Sequence, residues 1–154
     1  MHRVSTATRR VVAVLLVIAA TTLAAWRATP TALPAMRVLK NPGCACCAKW
    51  ITYMKQEGFT VSVEDKADFT DLKRANGVTR ELESCHTAFV GGYVIEGHVP
   101  ADLVKKLLAE KPAGVKGLSA PGMPASAPGM DMPGQHYTIY SFDAAGHAKV
   151  YAQR

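Results

Sequence analysis

From Met36 onward the chain switches between two hydrophobic periods, and each switch marks an element. Met36-Arg37-Val38-Leu39-Lys40 is a short apolar run suited to a strand. Trp50, Ile51 and Met54 then recur at helical spacing, which predicts a helix over Cys44–Glu57, stopped by Gly58. Phe59-Thr60-Val61-Ser62-Val63 alternates and is rich in β-formers, so it reads as the second strand. Asp68–Asn76 is a short helix capped by Asp68, with Phe69 and Leu72 on its apolar face and Gly77 at its end. Val78–Glu83 adds a helical turn. Thr87-Ala88-Phe89-Val90 and Tyr93-Val94-Ile95 flank Gly91-Gly92, the pattern of a hairpin with a two-residue turn. Pro100 opens a helix to Glu110, with Leu103, Leu107 and Leu108 as its apolar stripe and Lys105, Lys106 and Glu110 facing water.

Residues 111–134 break the periodicity. Pro112, Pro121, Pro124, Pro128 and Pro133 occur here with Met123, Met130 and Met132, and the stretch reads as an irregular loop. Residues 136–152 close the chain as a hairpin, joined by Asp143-Ala144-Ala145-Gly146. The order is βαβ, a helix, ββα and an additional C-terminal β-hairpin. This is an α/β chain in the thioredoxin-like arrangement (βαβ-α-ββα), with thiols directly after the first strand.

The amino end stands apart. Met1–Arg10 carries Arg3, Arg9 and Arg10 without an acid, and an apolar run from Val11 to Ala25 follows. Residues 1–25 therefore read as a signal peptide or an N-terminal anchor, with the short run favouring cleavage after Ala25. Residues 26–35 form a linker, and 36–154 the folded domain. The domain is expected to be exported, and to meet a membrane only through an uncleaved amino end. Without residues 1–25 the net charge falls from +6 to +3. The remaining lysines and arginines are scattered among acids and read as a solvated surface, which argues against nucleic acid.

Three of the four cysteines fall within Cys44-Ala45-Cys46-Cys47 and the fourth is Cys85. In an exported chain four cysteines could form two structural bridges. Adjacent Cys46 and Cys47 argue against that, because a bridge between neighbours is strained and closes almost no loop. Asn41-Pro42-Gly43 is turn chemistry and places Cys44, Cys46 and Cys47 in the first turn of a helix, where free N–H groups and the dipole favour thiolate. Cys85 is expected beside them, since the stretch before the third strand lies next to the helix start in this topology.

Several long motifs resemble the exported CopG-like copper-resistance proteins, long filed as a domain of unknown function. They are Asn41-Pro42-Gly43-Cys44-Ala45-Cys46-Cys47-Ala48-Lys49-Trp50, Ser84-Cys85-His86-Thr87-Ala88, Gly92–Ala101, and the Pro121-Gly122-Met123-Pro124 and Pro128-Gly129-Met130 pieces. The resemblance implies a thioredoxin-like fold, copper bound by Cys44, Cys46, Cys47 and Cys85, a role in periplasmic copper handling, and redox cycling of the copper. Other periplasmic copper-handling proteins are the partners it implies.

Thiolates suit both Cu(I) and Zn(II), but the tight Cys-x-Cys-Cys spacing favours bridging sulfurs and a multinuclear Cu(I) site over tetrahedral zinc. His86, one residue after Cys85 at a strand entrance, is expected to point away from it and to serve as a hydrogen-bonder. His98 is expected to support a turn, and His136 and His147 to lie at the surface. Met123, Met130 and Met132 are read equally well as a Cu(I) capture arm or as gap fillers, and Trp50 and Tyr53 as core or site wall. The alternative function is a dithiol/disulfide oxidoreductase using Cys44 and Cys47, and a zinc-stabilised domain ranks third. Cys46 and Cys85 are surplus to a dithiol scheme. Cys85-His86-Thr87 also stands where thioredoxins place a proline, and both features favour metal.

Overall fold

The computed structural model describes residues 32–154; the expected signal or anchor (1–25) and most of the expected linker (26–35) lie outside the described residues. Leu33–Arg154 forms one compact unit. Among the described residues no helix is long and apolar enough to cross a membrane.

The elements are β1 (Met36–Lys40), α1 (Ala45–Gln56), β2 (Val61–Asp65), α2 (Thr70–Ala75), a 3-10 turn (Arg80–Leu82), β3 (His86–Val90), β4 (Tyr93–Glu96), α3 (Ala101–Glu110), β5 (Gly117–Ser119), β6 (Thr138–Phe142) and β7 (Ala148–Gln153). The strands form one seven-stranded mixed sheet in the order β2-β1-β3-β4-β5-β6-β7. The chain is thus a mixed α/β domain. β1 and β2, connected through α1, pair directly in parallel, and β3 pairs antiparallel with β1. That pairing sets the start of β3 against the end of β1, with Lys40 opposite His86.

Alternation along the strands divides the core between the two faces of the sheet. Ala88, Val90 and Ile95 pack with Trp50 and Met54 of α1 and Val104 and Leu107 of α3. Their neighbours Phe89 and Val94 turn to the other face and pack with Val78, Leu82 and Phe142. On α1 the buried residues are Cys47, Trp50, Ile51 and Met54, a single apolar stripe, so the helix that carries the cysteines is anchored by the core.

Two departures from the sequence pattern bear on how the sheet is built. The second strand begins at Val61 rather than Phe59, because Phe59 is buried and its N–H returns to the carbonyl of Met54 at 3.1 Å. Residues 111–134 are not wholly irregular, since they contain β5, paired parallel to β4 and antiparallel to β6. Gly117 makes this approach feasible, because a Cβ there would lie 2.1 Å from the carbonyl oxygen of Val94. β5 thereby makes the β6–β7 hairpin continuous with the sheet.

Candidate metal centre

The Cys44–Cys47 segment opens α1. Cys44 is the N-cap, with extended backbone (φ −78°, ψ 94°), and its sulfur accepts the N–H of Cys47 at 3.3 Å. The preceding turn is tied by Gly43 N–H to Asn41 Oδ1 (3.1 Å) and by the largely buried Lys40. Lys40 donates to the carbonyls of Asn41 and Pro42 at 3.2 and 3.4 Å and pairs with Asp65 at 2.6 Å. Local turn chemistry and one lysine thus set the start of the helix.

Cys44 and Cys47 form a disulfide, and Cys46 and Cys85 are free thiols, both half-buried. Cys46 Sγ lies 3.5 Å from Cys44 Sγ and is the only one of that pair with a proton to donate. Cys47 is fully buried, with its sulfur 3.8 Å from the carbonyl oxygen of Cys85. The sulfurs of Cys44, Cys46, Cys47 and Cys85 all lie within 4.8 Å of one another. Two segments 38 positions apart therefore converge on one cluster of four sulfurs.

A second group overlaps the first at Cys85. Cys85 Sγ is 3.1 Å from His98 Nε2 and 3.5 Å from His86 Nδ1, and each of the three residues offers a ligand atom within 4.8 Å of the others. His98 Nδ1 meets the carbonyl of Pro128 at 2.8 Å. A carbonyl only accepts, so Nδ1 carries the hydrogen and Nε2 presents a lone pair towards Cys85. Both imidazoles are fully buried, and burial holds both below the ordinary histidine pKa, His86 well below it. His86 is wedged between the rings of Trp50 and His98, with centroids at 4.4 and 5.0 Å, and its Nε2 is buried without a partner.

These positions correct three expectations. His86 does not point away from Cys85, because Cys85 sits in the bend before β3 and strand alternation does not reach it. His98 does more than support a turn; its imidazole faces the thiol. At Cys85 itself burial pushes the thiol up to about 11, which favours the protonated sulfur in the metal-free, oxidised protein. Not every lysine is on the surface, since Lys40 and Lys73 are buried. Lys73 pairs with Glu96, whose carboxyl burial raises above its ordinary value while Lys73 opposes that shift.

The Pro/Gly/Met stretch covers the cluster from two sides. Gly122 bridges to Ser84, its N–H bonding the carbonyl of Glu83 at 2.8 Å. Gly129 lies so close to α1 that a Cβ would meet Trp50 N at 2.7 Å and Cys46 O at 3.0 Å. Met123 and Met132 are exposed and Met130 is half-buried. His136 and His147 are exposed. Trp50 belongs to the core, donating its indole N–H to the carbonyl of Val99 at 3.0 Å, and the Tyr53 hydroxyl accepts the N–H of Ala101.

Comparison with known proteins places this geometry. Residues 82–130 match the family model described as "Protein of unknown function, DUF411", a span that includes Cys85, His86, His98 and Pro128. Two solved structures described as "Copper resistance protein copG", Form 1 and Form 2, share 35% and 34% identity with the chain. Each comparison covers 79% of this chain and 98% of the other, with a TM-score of 0.73. The chain belongs to the CopG-like copper-resistance family. A search of curated proteins finds no match. The CopG likeness covers nearly all of the related chain and about four-fifths of this one, so it rests on the whole fold rather than on the cysteine motif alone.

Proposed function

We propose that this CopG-like domain is an exported, periplasmic copper-binding protein of copper resistance and homeostasis. In the reduced state it holds Cu(I) through Cys44, Cys46, Cys47 and Cys85. The observation that carries the reading is the convergence of four sulfurs within 4.8 Å from two separate segments. Soft thiolates packed this closely can bridge, which suits a multinuclear Cu(I) site. His98 adds a nitrogen donor on the Cys85 side, already oriented by Pro128. The β1-α1-β2 and β3-β4-α3 order supports a thioredoxin-like classification with the thiols at the start of α1.

The residues have separable tasks. Cys44, Cys46 and Cys47 present sulfur at a helix start, Cys85 closes the set from the sheet, and the loop at Gly129 limits water at α1. Bound copper would supply one-electron redox chemistry, and its cycling is part of this reading.

The Cys44–Cys47 disulfide favours a second reading, a dithiol/disulfide oxidoreductase. There the disulfide takes two electrons and two protons from a partner dithiol, which becomes a disulfide in turn. Anaerobic Cu(I) titration of the reduced protein beside Cys46→Ser separates the two. More than one tightly held copper per chain, reduced in the variant, supports the copper reading. Indifference to copper with disulfide reductase activity that survives Cys46→Ser replaces it.

A further inference from the structure

Cys85 is held from behind by a charge pair that the copper reading does not use. The Lys73 and Glu96 side chains are 7% and 0% exposed, and they contact each other directly. Such a pair contributes little net stability, since desolvating two ions offsets their attraction. What it touches is more informative. Glu96 Oε1 accepts the ammonium of Lys73 and the backbone N–H of Ser84 at 2.7 Å, while Oε2 accepts the Thr87 hydroxyl at 2.6 Å. Lys73 donates in turn to the carbonyl of Ser84 at 3.0 Å. Both backbone polar groups of Ser84, the residue before Cys85, therefore end on one ion pair, and Thr87, two residues after it, ends on the same carboxylate.

The surroundings reinforce the hold. The Ser84 hydroxyl donates to the carbonyl of Gly122. Gly97, at φ +71°, leaves room for this packing, because a Cβ there would lie 2.5 Å from Ser84 Cβ. Cys44, Cys46 and Cys47 are placed by a helix start, which is local structure. Cys85 sits in a bend with no regular element of its own.

We propose that Lys73 and Glu96 are positioning residues for Cys85, fixing the Ser84–His86 bend so that the sulfur faces the α1 cysteines and His98. This deepens the copper reading and rests on it only where metal affinity is the readout. Neither residue reaches the sulfur cluster; both act through Ser84 and Thr87.

The test uses full-length Thr87→Val, Thr87→Ser and Glu96→Gln, with circular dichroism and thermal melts to establish folding. In the metal-free protein the rate of Cys85 alkylation by iodoacetamide is followed by peptide mass spectrometry. In the reduced protein Cu(I) affinity is measured by competition with bicinchoninate. Thr87→Val and Glu96→Gln are expected to speed Cys85 alkylation several-fold and to weaken Cu(I) binding by about tenfold, the scale of losing an outer-shell partner. Thr87→Ser restores the hydroxyl and should restore both. A merely stabilising pair would lower the melting temperature and leave the alkylation rate of the folded variants unchanged; that result overturns the proposal whatever copper does. If the wild type takes up no Cu(I), the copper reading fails by itself and the alkylation rates still decide this one. Should Glu96→Gln not fold, the two Thr87 variants carry the decision.

Discussion

His98 Nε2 faces Cys85 Sγ at 3.1 Å while the opposite ring nitrogen is held by the carbonyl of Pro128 at 2.8 Å. The imidazole is thereby fixed in one tautomer with its lone pair on the thiol side. Replacing His98 by Ala should lower Cu(I) affinity by at least about tenfold and change the copper–thiolate absorption spectrum. Unchanged affinity and spectrum would remove His98 from the site.

Two glycines of the covering loop offer a matched pair. Gly122 and Gly129 both have positive φ, +66° and +87°, but only Gly129 lacks space for a Cβ. Gly122→Ala should cost about 1 to 2 kcal/mol for the left-handed backbone alone. Gly129→Ala should cost more and lift the loop from α1, speeding alkylation of Cys46. Equal destabilisation, with Cys46 equally protected in both, would show that the loop does not rest on the helix.

The pH dependence of the oxidised, metal-free protein follows from its buried imidazoles. Burial holds His86 and His98 below their ordinary value, so below about pH 6.5 the unfolded chain binds protons that the folded one refuses. Their contribution to stability is present above that pH and is lost as the pH falls. The unfolding free energy should decline with acidification at a slope approaching about 1.4 kcal/mol per pH unit for each histidine. Urea melts between about pH 7.5 and 5 measure it, and His86→Phe should flatten the slope.

Trp50 donates its indole N–H to the carbonyl of Val99, next to His98. Trp50→Phe strands that buried carbonyl and leaves a gap, at a cost of roughly 2 to 4 kcal/mol. Chemical denaturation reads the loss directly, and an effect within experimental error would mean that the carbonyl finds another partner.

What a residue does through its near neighbours was legible in the chain. The helix start at Cys44, the α1 stripe of Trp50, Ile51 and Met54 and the Gly91-Gly92 hairpin follow from backbone sterics, capping and periodicity acting over a few positions. The three-residue β5 was not legible, because it is too short to show a period and is defined by its partners on both sides.

Turn chemistry and periodicity along the chain suffice to put Cys44, Cys46 and Cys47 at one helix start and Cys85 just before the third strand. What surrounds Cys85 follows from contacts between distant segments. His98 reaches it from 13 positions away, Pro128 orients His98 from 30 further on, and Lys73 and Glu96 meet across 23. These contacts are made by strands pairing side by side and by a loop folding back over a helix. No local period records them, because their energy comes from burial and from polar groups that must find partners once water is gone.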